Sequence, residues 1–187
     1  GESGLSIVIP FPDPQFDKER MIGVAIAHYF YPIITDQLVL QFNELEINSG
    51  NVRELAKEYA NDRFHQIDIL FDFIEEISLA EKTGLLKMKP TWMDDRKLDE
   101  DDFDPATLES IREKFTSGEL VGLYLPVIVK KKSGENVKSG FSAYIKRPAE
   151  LTRGHDIYVR GGLTLPSESK FKDRRALGAM IAEQEEI

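Results

Sequence analysis

The sequence predicts an α/β (α+β) fold in which helices pack on one face of a mixed or antiparallel sheet. Three observations support this prediction. The first 42 residues are typical of a strand, a helix and a second strand. Two helical apolar stripes follow, and beyond Leu120 the apolar period changes to two in a segment rich in β-forming residues. A helical layer on a sheet is therefore expected.

The opening segment predicts one strand, helix and strand unit. Residues Leu5 to Pro10 are rich in β-branched side chains and end in a proline-rich loop, which is typical of a strand. Asp13 and Pro14 predict an N-cap and a first helical turn, and Pro32 predicts a kink or an end near Tyr31. The core-facing stripe of this helix comprises Ile22, Ile26, Tyr29, Phe30 and Ile33. Residues Leu38 to Phe42 predict a second strand in the same sheet.

Two further helices are predicted before residue 84. The first lies within 48–61, with Asn48 or Ser49 as its cap, and its apolar stripe comprises Val52, Leu55, Ala56 and Tyr59. The second runs from Ile67 to Leu79 and is expected to end at Gly84 in a left-handed conformation. His28 and His65 have no partner at metal-ligand spacing, so the favoured interpretation of both is structural or surface-exposed rather than functional.

A dense run of acids marks the predicted internal boundary. Seven acidic residues lie within 94–104, which favours a solvated loop. A calcium loop counted from Asp99 is the alternative, but its sixth position is not glycine and its twelfth is not glutamate. Asp104 and Pro105 then predict the start of a helix that Gly118 ends. The predicted units are 1–93, a linker at 94–104, and an antiparallel β-rich unit with a C-terminal helix at 105–187.

The C-terminal unit begins with a predicted hairpin. Residues 121–132 and 137–147 read as strands around the turn residues 133–136, and a third strand is predicted at 156–164. Three antiparallel strands are therefore expected. A last, basic segment is predicted to open a helix through the small or apolar residues Ala176, Gly178, Ala179 and Ile181.

Composition narrows the classes of protein that are possible. The chain has 187 residues and no cysteine, which excludes disulfides and thiolate chemistry and favours an intracellular, cytoplasmic location. No apolar run approaches the roughly 20 residues that span a membrane, so no membrane partner is expected. The chain starts without methionine and ends in what reads as an unfinished helix, so we expect it to be a fragment of a longer protein.

The net charge of −9 conceals a reversal of sign along the chain. Residues 1–122 carry 25 acids and 12 bases, whereas residues 123–182 carry 5 acids and 12 bases. Either the two parts attract each other or the basic part binds an anionic protein surface or a nucleic acid, and a solvated mixed surface is the third possibility. The predicted anion-binding or partner-binding set is Arg147, Arg153, Arg160, Lys170, Arg174 and Arg175.

Short motifs carry a family resemblance. Residues 1–10, Gly-Glu-Ser-Gly-Leu-Ser-Ile-Val-Ile-Pro, resemble the last glycine box and final strand of the GHKL superfamily of ATPases, which includes gyrase and the ninety-kilodalton heat-shock chaperone. Residues 4–12, 28–33 with 38–40, 158–163 and 174–179 are similar to the C-terminal region of uncharacterised bacterial proteins that carry such an ATPase module. The chain departs from the family box at Leu5 and Ser6, where threonine is usual.

The resemblance implies a chain that begins where a nucleotide pocket ends. The magnesium-binding asparagine box, the Asp-x-Gly-x-Gly box and the lid glycines of the family are absent from the sequence. ATP and magnesium would thus be cofactors of the parent protein, and this chain is expected neither to bind nor to hydrolyse ATP. An adjoining ATPase module would be its partner.

Three classes of function remain. The chain is a non-catalytic coupling or effector domain of an HSP90-like ATPase, or an interaction module that uses a basic hairpin face, with Tyr144 and Tyr158 as candidate base-contacting aromatics. The third class is a hydrolytic or metal-dependent enzyme, which is the least favoured because no nucleophile, base and orienting group can be assembled from the spacing. Whether an intact parent is an enzyme stays open.

Overall fold

A computed structural model of the chain describes residues 17–83, 85–89, 92–95, 98–165, 170–171 and 174–182. The helices are α1 (Lys18–Ile34), α2 (Val52–Tyr59), α3 (Ile67–Thr83), α4 (Trp92–Asp95) and α5 (Pro105–Ser117), with a 3-10 turn at Glu100–Asp102. The strands are β1 (Leu40–Phe42), β2 (Leu45–Ile47), β3 (Leu86–Lys87), β4 (Val121–Lys130), β5 (Asn136–Lys146), β6 (His155–Arg160), β7 (Leu163–Leu165) and β8 (Leu177–Ala182).

Six of these strands form one mixed sheet in the order β3-β4-β5-β8-β6-β7. The pairs β4–β5, β5–β8 and β6–β7 are antiparallel, whereas β3–β4 and β6–β8 are parallel. Strands β1 and β2 form a separate hairpin. The predicted α+β fold with a mixed sheet is therefore confirmed.

Helices α1, α2 and α3 cover one face of the central strands. Their buried side chains, such as Ile26 and Phe71, share a core with Tyr144 of β5, Ile157 of β6 and Ala179 of β8. The last three residues are directly opposed in register, so they point to the same side of the sheet. We call this side the helix face and the opposite side the far face.

Helix α1 buries Ile22, Ile26, Phe30 and Ile33 of the predicted apolar stripe, but Tyr29 is 40% exposed, and the ends of the helix differ from the prediction. Its N-cap is Asp17, whose carboxylate accepts a hydrogen bond from the backbone N–H of Arg20 at 2.6 Å, so the prediction of a cap at Asp13 was wrong. The helix also continues past Pro32 to Ile34. The carbonyl oxygen of Pro32, in the last turn, accepts from the backbone N–H groups of Gln37 and Leu38, at 2.8 and 3.0 Å, which stabilises the end of the helix.

Several predicted elements differ from the structure. Within the predicted strand 38–42, residues Leu40–Phe42 form β1, but β1 pairs with β2 and not with the six-stranded sheet. The predicted strand at 5–10 lies outside the described residues. Residues 176–181, predicted as a helix, form β8 instead, with Leu177, Ala179 and Ile181 buried on the helix face. β8 lies between β5 and β6. Strand β6, which covers most of the third predicted strand, therefore pairs in parallel with β8 and does not pair with the β4–β5 hairpin.

Helix α5 follows its sequence signals closely. Asp104 caps it by accepting from the backbone N–H of Thr107 at 3.0 Å, and Gly118 ends it with a φ of 82°. Contacts also join the two predicted units on either side of the acidic segment. The ammonium of Lys146 pairs with the Glu76 carboxylate, and Met88 donates its backbone N–H to the Tyr124 carbonyl at 2.9 Å. The predicted domain boundary stays a prediction.

The core position of α1 can be tested with one substitution. Ile26 is fully buried, whereas His28 on the same helix is exposed. We expect Ile26→Asp to lower the free energy of unfolding by about 3 kcal/mol or more, because it buries an unpaired charge. His28→Asp is the matched control and should melt within a few degrees of wild type. Equal denaturation midpoints for the two variants would show that this face of α1 is not core.

Candidate functional site

The register of the sheet brings three basic segments together at one end. Lys146, the last residue of β5, and His155, the first residue of β6, both oppose Leu177, the first residue of β8. Neighbouring strands are about 4.8 Å apart, so the end of β5 and the start of β6 are separated by roughly 10 Å across β8. Arg147, Arg153 and the pair Arg174 and Arg175 adjoin these three strand ends.

Close packing at Gly154 holds this end together. A Cβ atom at Gly154 would collide with the carbonyl oxygens of Phe171 and Arg174, so the backbone of the segment before β8 lies directly on this glycine. The Arg174 backbone N–H donates to the Phe171 carbonyl at 2.8 Å, and the Phe171 N–H donates to a carboxylate oxygen of Asp156 at 3.1 Å. Lys170, beside Phe171, is therefore held at the same end.

Five of the six predicted cations thus lie at one end of the sheet, and all six are exposed. We call Arg147, Arg153, Lys170, Arg174 and Arg175 the basic end. Arg160 does not join them, because it is the last residue of β6 and lies at the opposite end of the sheet, five residues and roughly 17 Å along the strand from His155. Arg147 and Arg160 do not end neighbouring strands, since β8 separates β5 from β6.

The charges of the basic end are not neutralised within the described residues. None of its five side chains has an ion pair there, whereas the adjacent Lys146 is paired with Glu76. Among the described acids, Glu150 lies three residues from both Arg147 and Arg153 in sequence, and it is exposed. In the described part of the chain, the basic end therefore keeps an excess of positive charge toward solvent. Intramolecular pairing with the acidic half, which the sequence left open, is not observed there.

An apolar surface adjoins the basic end on the far face. One row of directly opposed residues, which we call the apolar row, crosses all six strands and comprises Leu86, Leu123, Ala143, Met180, Tyr158 and Leu165. Met180 is 39% exposed and Leu165 46% exposed, so both apolar side chains are accessible to solvent. Trp92 of α4 reaches the far face farther along, where its ring packs edge-on against Phe141. The residues of this row on β8, β6 and β7 face solvent.

A cavity of about 250 Å³ opens between this row and the basic end. Its lining includes Leu123, Ile145, Gly178 and Met180, with Asp156 and Tyr158 as its polar members. The Phe171 ring lies against Gly178, where a Cβ atom would be 2.8 Å from the ring, so the missing side chain of Gly178 makes room for it. The cavity is therefore suited to an apolar group of moderate size.

Burial perturbs the pKa of two side chains of β6. Burial raises the pKa of Tyr158, and a hydrogen bond with Asp156 adds to the shift. Burial also lowers the pKa of His155, against a smaller opposing effect of the Asp156 charge. Tyr158 thus stays neutral and able to donate at physiological pH. Tyr144, the other candidate base-contacting aromatic, is only 3% exposed and is a packing residue of the core.

The other residues singled out in the sequence have structural roles or lie on the surface. His65 is exposed, and its Nε2 lies 2.8 Å from the Thr152 hydroxyl oxygen. The Asp99 side chain accepts from the Glu100 backbone N–H at 2.7 Å and caps the 3-10 turn. The described residues contain no group of three or more His, Cys, Asp or Glu arranged to hold a metal ion. Among them, no helix combines the length and apolarity that crossing a bilayer requires.

Sequence reasoning missed most of the cavity. Gly178 and Met180 were assigned to a helix, and Phe171 carried no signal of its own. The segment Leu177–Ala182 gives no clear indication of a strand, because all six residues are apolar or small and Gly178 is buried like its neighbours.

Comparisons with known proteins return no match. No family model fits the chain, and neither a curated protein nor a solved structure matches it significantly. The fold and the basic end are therefore interpreted from their own geometry.

The role of Gly154 in holding the basic end can be tested by adding one methyl group. We expect Gly154→Ala to lower the free energy of unfolding by about 1–3 kcal/mol, because the new Cβ overlaps backbone carbonyl oxygens that cannot rotate away. Gly50→Ala is the control, since its Cβ would lie 3.3 Å from a side-chain oxygen of Asn48. Urea denaturation of both variants measures the difference, and equal midpoints would contradict the tight packing at Gly154.

The depressed pKa of His155 predicts a pH dependence of stability. Its folded-state pKa lies below the ordinary value of 6.5, so the unfolded chain binds the proton more tightly. Stability should therefore fall as the pH drops through about 6.5 and level off below the folded-state pKa. His155→Asn should remove this part of the dependence. Melting curves between pH 8 and pH 5 check it, and parallel profiles for the two proteins would contradict burial of the imidazole.

Proposed function

We propose that the chain is a non-catalytic interaction module that binds an acidic protein segment along the far face of its sheet. The observation that carries this proposal is the continuity of three features: the exposed apolar row, the cavity, and the basic end, which has no ion pair among the described residues. An extended segment with one apolar side chain in the cavity would place flanking carboxylates beside the basic end. Arginine engages carboxylates through two parallel hydrogen bonds, which supports this choice of partner.

The apolar row supports a protein partner over a purely ionic one. Met180 and Leu165 of the row are 39% and 46% exposed, and Leu163, which lies with Leu165 on β7, is 52% exposed. Burying such residues contributes about 25 cal/mol per Å² of apolar surface, whereas exposed ion pairs add only about 0–1 kcal/mol each. In this proposal the apolar contacts provide most of the affinity, and the arginines select an acidic segment and accelerate association.

The role of coupling domain in an HSP90-like ATPase protein stays a prediction. This role depends on the short motifs that resemble GHKL-linked proteins. An acidic surface of an adjoining ATPase module would be the kind of partner that the basic end is proposed to bind. ATP and magnesium remain cofactors of that parent in this reading. The far-face proposal does not depend on the resemblance, because it is argued from the exposed row and the basic end.

A random peptide library displayed on phage tests the proposed function. We expect selection on the whole chain to enrich peptides that carry a Phe, Leu or Met flanked by Asp or Glu. Enriched peptides should bind Met180→Asp at least tenfold more weakly, because the variant places a negative charge on the apolar row. Leu79→Asp is the control, since Leu79 is 62% exposed on α3, away from the far face. Fluorescence polarisation of labelled peptides measures the dissociation constants.

The arginines need a separate comparison. Arg153→Glu combined with Arg174→Glu should weaken the same peptides and flatten the salt dependence of binding, whereas Arg160→Glu at the opposite end of β6 should change little. Enrichment of peptides without acids, or equal loss for Arg160→Glu, would refute the assignment of the basic end. Peptides that bind Met180→Asp as tightly as wild type would refute the far face itself.

A further inference from the structure

The β4–β5 hairpin extends well beyond the sheet. The two strands pair with each other from Val121 to Lys130 and from Asn136 to Lys146. Among the described residues, however, β8 pairs only with 142–146 of β5, and β3 pairs only with Leu123 and Tyr124 of β4. Residues 126–140 therefore form a two-stranded ribbon without a third strand in the described part of the chain. We call this ribbon the arm.

The base of the arm is fixed by aromatic side chains. Pro126 opposes Gly140 in register, and a side chain at Gly140 would collide with the ring of Tyr124. The Trp92 indole N–H donates to the Pro126 carbonyl at 3.0 Å. Among the described residues, no further strand pairs with β4 on its outer side here, so a proline without an N–H to donate is tolerated at this position. At the tip, Gly134 adopts a φ of 89° and donates to the Lys131 carbonyl at 2.9 Å.

The arm has a charge opposite to that of the whole chain. It carries four lysines and one glutamate, a net charge of 4 − 1 = +3, in a chain of net charge −9. Lys131 approaches the Glu135 carboxylate at 3.8 Å, and Lys130, Lys132 and Lys138 are exposed without an ion pair among the described residues. From Pro126 to Lys130 the arm is roughly 13 Å long, which exceeds the screening length of about 8 Å at physiological ionic strength. The tip is thus screened from the acidic body.

The two sides of the arm differ. Alternation places Ile128, Lys130, Asn136 and Lys138 on the side that continues the helix face, and Val127, Val129, Val137 and Ser139 on the side that continues the far face. On the first side, Ile128 is 51% exposed and lies directly opposite Lys138. This side therefore presents cations, an amide donor and an exposed aliphatic group together.

We propose that the arm binds duplex DNA by entering its major groove with the side that carries Lys130 and Lys138. The major groove is about 12 Å wide and admits a two-stranded ribbon, whereas the corresponding groove of duplex RNA is too deep and narrow for side chains to read. The lysines of the arm would neutralise phosphates. Asn136 can donate a hydrogen bond to base edges, and Ile128 can make an apolar contact with the methyl group of thymine. This site is separate from the peptide site on the far face.

A fluorescein-labelled 20-base-pair DNA duplex tests the proposal by anisotropy titration of the whole chain. We expect saturable binding at 50 mM salt that weakens steeply toward 200 mM, because each neutralised phosphate adds about 0.9 to the slope of log Kd against log salt. The variant Lys130→Gln, Lys132→Gln and Lys138→Gln should bind at least tenfold more weakly, with a slope lower by about 2.7. Its melting temperature should match wild type, since all three residues are exposed.

A matched control removes the same charge elsewhere. Lys18→Gln, Arg20→Gln and Lys114→Gln alter three exposed cations outside the arm and should leave the slope nearly unchanged. An RNA duplex of the same sequence should bind at least tenfold more weakly than the DNA, and polyglutamate of equal charge should not compete. The proposal is overturned if the wild type does not bind the DNA at 50 mM salt, or if the arm variant binds it as tightly as the wild type. It is also overturned if the RNA duplex binds with equal affinity. Competition from polyglutamate would overturn it as well and would assign the arm to acidic proteins.

Discussion

The pairing of β8 with two strands at once is the interaction on which the rest of the structure depends. β8 bonds to β5 on one side and to β6 on the other, and it joins the hairpin unit to the β6–β7 unit. Its buried residues Leu177, Ala179 and Ile181 complete the face on which α1, α2 and α3 pack. Without β8, the sheet would be two separate pieces, each with an exposed edge and half of a core.

The same strand creates the candidate site. Because β8 starts where β5 ends and β6 begins, it gathers cations that are up to 28 positions apart in sequence, from Arg147 to Arg175. On its other side, Gly178 and Met180 supply the floor of the cavity and the centre of the apolar row. One strand thus links a structural role on the helix face with a recognition surface on the far face.

Local signals predicted the elements that depend on local interactions. The cap at Asp104, the left-handed Gly118 and the hairpin around Gly134 follow from side-chain and backbone chemistry within a few residues, and each was found where the sequence indicated. β8 could not be recognised in this way, because Leu-Gly-Ala-Met-Ile-Ala suits a helix as well as a buried strand. Its conformation is decided by partners more than 15 residues away, and tertiary pairing overrides propensity.

For the site, charge was easier to predict than geometry. The reversal of charge at residue 123 identified five cations that the fold gathers, but it also included Arg160, whose position depends on the direction of β6. The choice between Tyr144 and Tyr158 depended on which side of the sheet each faces, and only the register answers that question.

The arrangement of charge explains how an acidic chain can present two surfaces for anions. Acidic side chains of the helical half are partly neutralised by internal pairs, as where Arg53 contacts Asp68, Asp72 and Glu75 at 3.4, 2.8 and 2.8 Å. The basic end and the arm keep their charges in solvent, and they lie at opposite ends of β5, roughly 20–30 Å apart along an 11-residue strand. That distance exceeds the screening length about threefold, so a ligand at one site is hardly affected by the charge of the other. Under the two proposals, an acidic peptide at the basic end and DNA at the arm would therefore bind without competing electrostatically.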